Sequence, residues 1–277
     1  MNIAGHDIGV CSWSLRPADM ADLLAQMHEL ELSHVQLGLA PLLAMDDPSR
    51  QRELELLGTA AVQVTATMIS FDGEDYASIA IIRDTGGFVP DAQWPARRQT
   101  ALAAGKLTAA LGVKLLSTHI GFIPPSNQAG YSELVGRVRE LATALGEMGV
   151  ELLMETGQEE AGELLKFIND VAMRNVRVNF DPANMILYGA GDPIEAVQTL
   201  GRHIRHVHVK DATLSTQPGV RWGQEVPFGT GQVNVKAFLA ALHNVGYRGP
   251  LVIEREAGDD RMGDVRRAIQ TLRAAGG

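Results

Sequence analysis

The sequence predicts a single-domain (β/α)8 TIM barrel over residues 1–277, and three observations carry that prediction. Short apolar runs alternate with longer amphipathic stretches from end to end, a pattern that demands a parallel sheet with helical crossovers. Eight such strand–helix pairs can be drawn, and about 250 residues is the usual size of a closed barrel. Polar residues also stand where the strands stop, at Ser12, Gln36, His119, Glu155, Asp181, His208 and Glu254. A barrel collects its functional groups at that end, whereas an open doubly wound sheet concentrates them at one switch point, often behind a glycine-rich first turn. The first turn here reads Cys11-Ser-Trp-Ser-Leu-Arg16 and has no glycine.

The elements follow in order. Residues 8–12 read as the first strand and 17–30 as its helix, with Pro17 where a first turn tolerates it. Residues 34–37 and 48–61 form the second pair. The β-branched run 62–69 is followed by a long glycine-containing connection and a helix over 96–111. The fourth and fifth pairs are 113–118 with 132–148, and 150–155 with 159–174. Then come 176–180 with 193–200, 203–209 with 235–245 across a long loop, and 251–254 with 260–274.

Composition narrows the functional classes. A net charge of −9 argues against a nucleic-acid partner, which favours a basic surface. No stretch reaches the ~20 uninterrupted apolar residues of a membrane span. Cys11 is the single cysteine, so neither a disulfide framework nor a thiolate metal site is expected. Residues 1–10 lack the layout of a signal peptide, and a cytoplasmic protein is expected. A homo-oligomer is left open.

Four segments carry the chemistry: Leu152-Leu-Met-Glu-Thr-Gly157, Asn179-Phe-Asp-Pro-Ala-Asn184, His206-Val-His-Val-Lys-Asp211 and Val252-Ile-Glu-Arg-Glu256. Each ends an apolar run on an ionisable residue. Glu155, Asp181 and His208 are spaced by 26 and 27 residues, about one strand–helix unit each. The gap of 46 to Glu254 absorbs the long loop 214–232. Adjacent strands lie about 4.8 Å apart, so the four groups can converge. Three carboxylates together repel one another unless a cation compensates. The donor set suits one divalent cation, with Mn2+ as the leading expectation and Mg2+, Co2+ or Zn2+ compatible. By strand alternation, His206 and Lys210 face the same way as His208. His206 reads as a hydrogen-bonded supporting or core residue. Lys210 reads either as a substrate contact or as a partner for a carboxylate such as Asp211.

With these motifs in view, the chain resembles the sugar phosphate isomerase/epimerase proteins, the xylose isomerase-like TIM barrels that include the ketose 3-epimerases. The segments Phe228-Gly-Thr-Gly231 and Ile253-Glu-Arg-Glu256 belong to the same pattern. The resemblance implies that Glu155, Asp181, His208 and Glu254 bind the metal, and that Glu155 and Glu254 form the acid–base pair. The reaction implied is isomerisation or epimerisation of a sugar or keto-sugar by proton transfer through a metal-stabilised enediolate. The alternative is a lyase or dehydratase acting on a cyclic polyol ketone or keto-glycoside. A barrel that binds sugars without catalysis and a repair endonuclease of the same superfamily are weaker readings. The sequence departs from the ketose epimerases at Asn184, where they commonly carry histidine, and Arg221 is only a loose match for their arginine after the seventh strand.

Further substrate contacts are expected from His119, Gln158, Asn184, Lys210, Arg221 and Trp13, each with a packing or capping alternative. Trp222, in the long loop, is a second candidate sugar-stacking face. Gly229-Thr-Gly231 reads as a tight turn rather than a phosphate cradle. The expected ligand is a small sugar or polyol ketone.

Overall fold

The computed structural model describes residues 1–276. Eight parallel strands close into a ring: β1 (His6–Cys11), β2 (His34–Gly38), β3 (Gln63–Met68), β4 (Leu115–Thr118), β5 (Glu151–Glu155), β6 (Val176–Phe180), β7 (Ile204–Val209) and β8 (Leu251–Ile253). Each pairs with its sequence neighbour, and β8 pairs with β1 in the register Leu251↔Ile8, Val252↔Gly9 and Ile253↔Val10. Gly9 is where the barrel wall is tightest, since a Cβ there would lie 2.8 Å from the carbonyl oxygen of His34 on β2.

The outer helices are α1 (Met20–Glu29), α2 (Asp47–Thr59), α3 (Trp94–Ala110), α4 (Ala129–Glu147), α5 (Ala161–Val171), α6 (Pro193–Leu200), α7 (Val235–Asn244) and α8 (Arg261–Gly276). α5 shows how they seat: Leu164, Phe167, Ile168 and Val171 recur at helical spacing and are all buried. Side chains preceding the helices fix several starts. Asp19 accepts from the Asp22 amide, Asp46 from Ser49 and Asn234 from Ala237. The cap at Asp19 begins α1 three residues after Pro17, later than the prolines alone suggest. Among the described residues no helix is long and apolar enough to cross a membrane.

Three short helices stand beyond the eight-pair scheme, at Ala40–Ala44, Ile79–Thr85 and Pro182–Tyr188. The last two occupy stretches read from sequence only as connection. The third is anchored by Asp181, whose Oδ1 accepts from the Asn184 amide at 2.8 Å, with Pro182 in the first turn. Ser12, expected to end β1, instead opens a 3-10 turn, Ser12–Leu15, and its hydroxyl accepts from the Gly38 amide at 2.9 Å.

After β7 the chain makes an antiparallel ribbon of Asp211–Thr213 against Gln224–Val226. Asp211 pins the return from that loop. Its two buried oxygens accept the amides of Ala212, Gly229, Gly231 and Val233 at 2.9–3.0 Å. A Cβ on Gly231 would collide with that carboxylate, which accounts for the glycine. The segment Gly229-Thr-Gly231 is therefore the tight turn expected, and Asp211 is committed to backbone rather than to Lys210.

Asp211→Ala would leave four buried or partly buried amides without that acceptor, each costing roughly 1–3 kcal/mol. A loss of about 3 kcal/mol or more is expected, read in urea as a lower midpoint with little change in slope.

Candidate metal centre

Glu155 ends β5, Asp181 and Glu254 directly follow β6 and β8, and His208 lies one residue before the end of β7. These four strands are consecutive in the barrel wall, so the side chains form an arc with the two glutamates at its outer ends. All four are buried, and one ligand atom from each can be chosen so that all lie within 4.8 Å of one another. The geometry converges on a single atom. Nδ1 of His208 is 3.2 Å from Glu254 Oε2, 3.3 Å from Asp181 Oδ2 and 3.4 Å from Glu155 Oε1.

The other face of that imidazole is held from behind. Nε2 lies 2.6 Å from Oε1 of Gln36, an oxygen that can only accept, and 3.1 Å from the Asn179 amide nitrogen. The shorter contact favours the proton on Nε2, which leaves the Nδ1 lone pair toward the carboxylates. Asn179 bridges the supporting layer. Its amide nitrogen is 3.3 Å from Glu155 Oε2, and its oxygen is 2.9 Å from His206 Nδ1. His206 also meets the Thr65 hydroxyl at 3.0 Å. Burial keeps its pKa well below the usual imidazole value, as does neighbouring His208, so it is a neutral supporting residue.

The carboxylates are positioned from opposite flanks. Asn184 donates to Glu155 Oε1 at 2.9 Å, and His119 Nε2 approaches the same oxygen at 3.6 Å. Trp13 donates its indole N–H to Glu254 Oε1 at 2.8 Å, and Lys210 donates to Glu254 Oε2 at 2.9 Å. Lys210 reaches on to Glu256 at 2.6 Å and Asn184 Oδ1 at 3.4 Å. Of the two readings of Lys210, the carboxylate partner is found, but it is Glu254 with Glu256 rather than Asp211.

Electrostatics separate the acids. Burial drives Asp181 up to about 6 despite the ammonium of Lys210. Burial opposes ionisation of Glu254 too, yet Lys210 and His208 hold it well below the ordinary carboxylate range. Glu155 is held down against burial by His119 and His208. Burial would discharge His208, but the surrounding carboxylates raise it well above its usual value. The space in front of Nδ1 thus calls for positive charge, either a proton or a cation. Three carboxylates and one imidazole fit a divalent cation of hard or borderline character. A rival grouping of Cys11, His208 and Glu254 fits poorly. Burial pushes the Cys11 thiol up to about 12, so it stays protonated, and its sulfur faces the Nε2 edge already bonded to Gln36.

Above this cluster the rim is apolar. Tyr188 packs edge-on against Trp222 with centroids 4.6 Å apart and against Phe122 at 5.6 Å. Trp222 donates to the carbonyl of Tyr76, which ties the long loop to the segment before Ile79–Thr85. Gln158 donates to the Tyr188 hydroxyl at 3.5 Å, a contact on the rim rather than in the cluster. Arg221 is exposed on the same loop, where its backbone amide donates to the Gln217 carbonyl at 3.0 Å. Glu159 is buried and accepts the Ile123 amide at 2.8 Å, which fixes the turn beneath Phe122.

Sequence reasoning missed several of these residues as site members. Gln36 stood out only as a polar strand end. Asn179 was reachable by alternation, two residues before Asp181 on the same strand face. The pairing of Tyr188 with Trp222 spans 34 positions and left no local signal.

A family model described as a xylose isomerase-like TIM barrel matches residues 24–275. A solved xylose isomerase domain protein from Planctomyces limnophilus is 36% identical, with a TM-score of 0.88 over 98% of this chain and 96% of that one. A D-psicose 3-epimerase from Clostridium cellulolyticum H10 shares the fold at 17% identity, with a TM-score of 0.72 over 97% and 99% of the two chains. The inosose dehydratase of Lacticaseibacillus casei is 24% identical over 141 residues, which is 46% of this chain and 47% of that protein. The matched segments span between about a third and a half of the curated relatives' own length.

Two outcomes follow from this geometry. Gln36→Leu removes the acceptor that fixes the His208 tautomer, and calorimetric titration with Mn2+ should show affinity lower by roughly 10–100-fold. Glu159 is raised by burial from 4.5 to about 8 in the fold. Between those values the native state keeps a proton the unfolded chain has released, so stability falls as pH rises through that window. Glu159→Gln keeps the acceptor for Ile123 without the ionisation. Its melting temperature should gain on the parent as pH rises from 5 to 8.

Proposed function

The chain belongs to the xylose isomerase-like TIM-barrel family, and we propose that it is a divalent-metal-dependent isomerase or epimerase of a sugar or keto-sugar. The observation that carries this reading is the placement of two ionised carboxylates, Glu155 and Glu254, at the outer ends of one four-strand arc. An isomerase or epimerase needs one group to remove a proton from the carbon beside a carbonyl and another to return one. Glu155 and Glu254 are the proposed pair. Both are also proposed metal ligands, with Asp181 and His208. When bound, the divalent cation, Mn2+ in the leading assignment, supplies electrophilic polarisation of the ketone and its neighbouring hydroxyl.

The remaining side chains suit the handling of a polyol. Trp13 and Lys210 hold both oxygens of Glu254, which keeps that carboxylate ionised and oriented. Asn184 and His119 support Glu155 from the other flank, both at Oε1, and Asn179 meets its Oε2. Asn184 is a neutral donor where relatives commonly titrate, so it orients a hydroxyl and moves no proton near neutrality. Gln158 and Arg221 are assigned to outer substrate contacts, and the apolar rim limits water above the reacting carbon.

A second reading, loss of a β-hydroxyl or aglycone from a cyclic polyol ketone, is favoured by Lys210. Its buried ammonium sits 2.9 Å from the proposed base Glu254, where a departing oxygen would need a donor. The likeness to an inosose dehydratase points the same way.

Incubation with Mn2+ and a panel of ketoses and inososes in D2O separates the two. Deuterium gained at the carbon beside the carbonyl, with no loss of water or aglycone, supports isomerase or epimerase chemistry. An unsaturated ketone product supports elimination. Glu254→Gln should cut either reaction by about 1,000-fold. Turnover undiminished in that variant would overturn the assignment of Glu254.

A further inference from the structure

The opposite, N-terminal end of the barrel carries a second constellation, and it is cationic. Arg177 lies near the start of β6 and Arg205 near the start of β7, the strand whose far end presents His208. Arg202 and His203 precede β7, and Arg248 follows α7. Arg202, Arg205 and Arg248 line a cleft of ≈ 420 Å³ between the turns at 201–205 and 245–249. Ile204, Val245 and Tyr247 form its apolar wall.

These cations are short of carboxylates, although Arg205 donates to the carbonyls of Arg202 and Ile204 at 3.2 and 3.1 Å. Glu151 Oε2 is 3.5 Å from Arg177 Nε and 3.7 Å from Arg205 Nε, and it makes no hydrogen bond to either. Arg202 directs its Nε at His203 Nε2 (2.9 Å), and Arg248 an Nη1 at the Tyr247 carbonyl (2.7 Å). Among the described residues neither meets a carboxylate. The groups are close enough to repel. Burial and then Arg205 lower the pKa of Arg177, while burial followed by Arg202, Arg177 and Arg205 lowers that of His203. Acidic residues outnumber Lys and Arg by 33 to 24 in this chain, so a cleft lined by three arginines and no carboxylate runs against its composition. Crowded like charges cost stability unless a counter-ion joins them.

We propose that this cleft binds the phosphate group of a small phosphorylated molecule. Guanidinium groups match phosphate oxygens with paired N–H donors, and Arg is favoured over Lys where such recognition is planar and bidentate. The volume exceeds the need of an inorganic anion and lies in the range of small-ligand pockets, so the Ile204–Val245–Tyr247 wall is left for the carbon skeleton. The site stands a full strand length from the carboxylate cluster, and the proposal does not depend on which reaction occurs there.

The test is calorimetric titration of inorganic phosphate into the full chain with Mg2+ present, in parallel with an Arg202→Ala/Arg248→Ala double variant. Both arginines are exposed, so the variant should fold, and unchanged Mg2+ affinity verifies that the far end is intact. The parent should bind phosphate saturably with a Kd of about 1 mM or tighter, weakening as chloride rises. The variant should bind at least about tenfold more weakly, and without phosphate it should melt no lower than the parent. Absence of saturable binding to the parent, or an equal Kd in both proteins, would overturn the proposal.

Discussion

The structure turns on one electrostatic demand: three buried carboxylates face the same nitrogen of one buried histidine. Without positive charge at that point the arrangement would push itself apart, because buried ions lose hydration and like charges add to the loss. Lys210 meets part of the demand from inside the barrel, bonded to Glu254 and reaching Asn184. Leaving aside Glu256, whose half-exposed carboxylate shares the Lys210 ammonium, the three cluster acids and that ammonium carry the charge of a dianion. A divalent cation would neutralise it and let His208 stay uncharged. A monovalent ion would leave net charge buried, and a proton on His208 alone would do the same.

Backbone structure delivers these groups without loop flexibility. Asp181 has one oxygen engaged as the cap of the short helix Pro182–Tyr188 and the other aimed at His208. The same helix places Asn184 against Glu155 and Tyr188 at the rim. One local motif, Asp-Pro-Ala-Asn, thus sets an oxygen facing His208, an amide on Glu155 and part of the apolar collar. Asp211 plays the corresponding part after β7. Its four amide contacts close the long loop, so that Trp222 returns to meet Tyr76 and Tyr188.

The barrel and the carboxylate–histidine cluster were legible in the sequence because both obey a period. Each ligand lies at the end of an apolar run, and two of the three gaps match one strand–helix unit. What escaped lacks a period. Gln36 meets His208 across 172 positions, and nothing near residue 36 distinguishes it from a capping glutamine. The ribbon after β7 depends on Asp211 finding amides 18 to 22 residues away. The short helices fell within stretches read as connection. Pro182–Tyr188 nonetheless carried its start signal, an aspartate before proline, in plain view. The partner of Lys210 was misplaced for a geometric reason: the adjacent Asp211 points to the opposite strand face, whereas Glu254 and Glu256 come from the neighbouring strand end.

The supporting layer also constrains how the two glutamates can differ. Glu254 has each oxygen held by a separate donor, one of them an ammonium, and is the more strongly acidified of the pair. Glu155 bonds the amides of Asn184 and Asn179, and the imidazoles of His119 and His208 rather than an ammonium oppose its burial. A carboxylate without an ammonium partner gains a proton more readily than one salt-bridged to lysine. On that asymmetry Glu254 is the more readily ionised of the two. A histidine in place of Asn184 would add a third titrating group between them. Asparagine adds no group that titrates near neutral pH and contributes only an orienting amide.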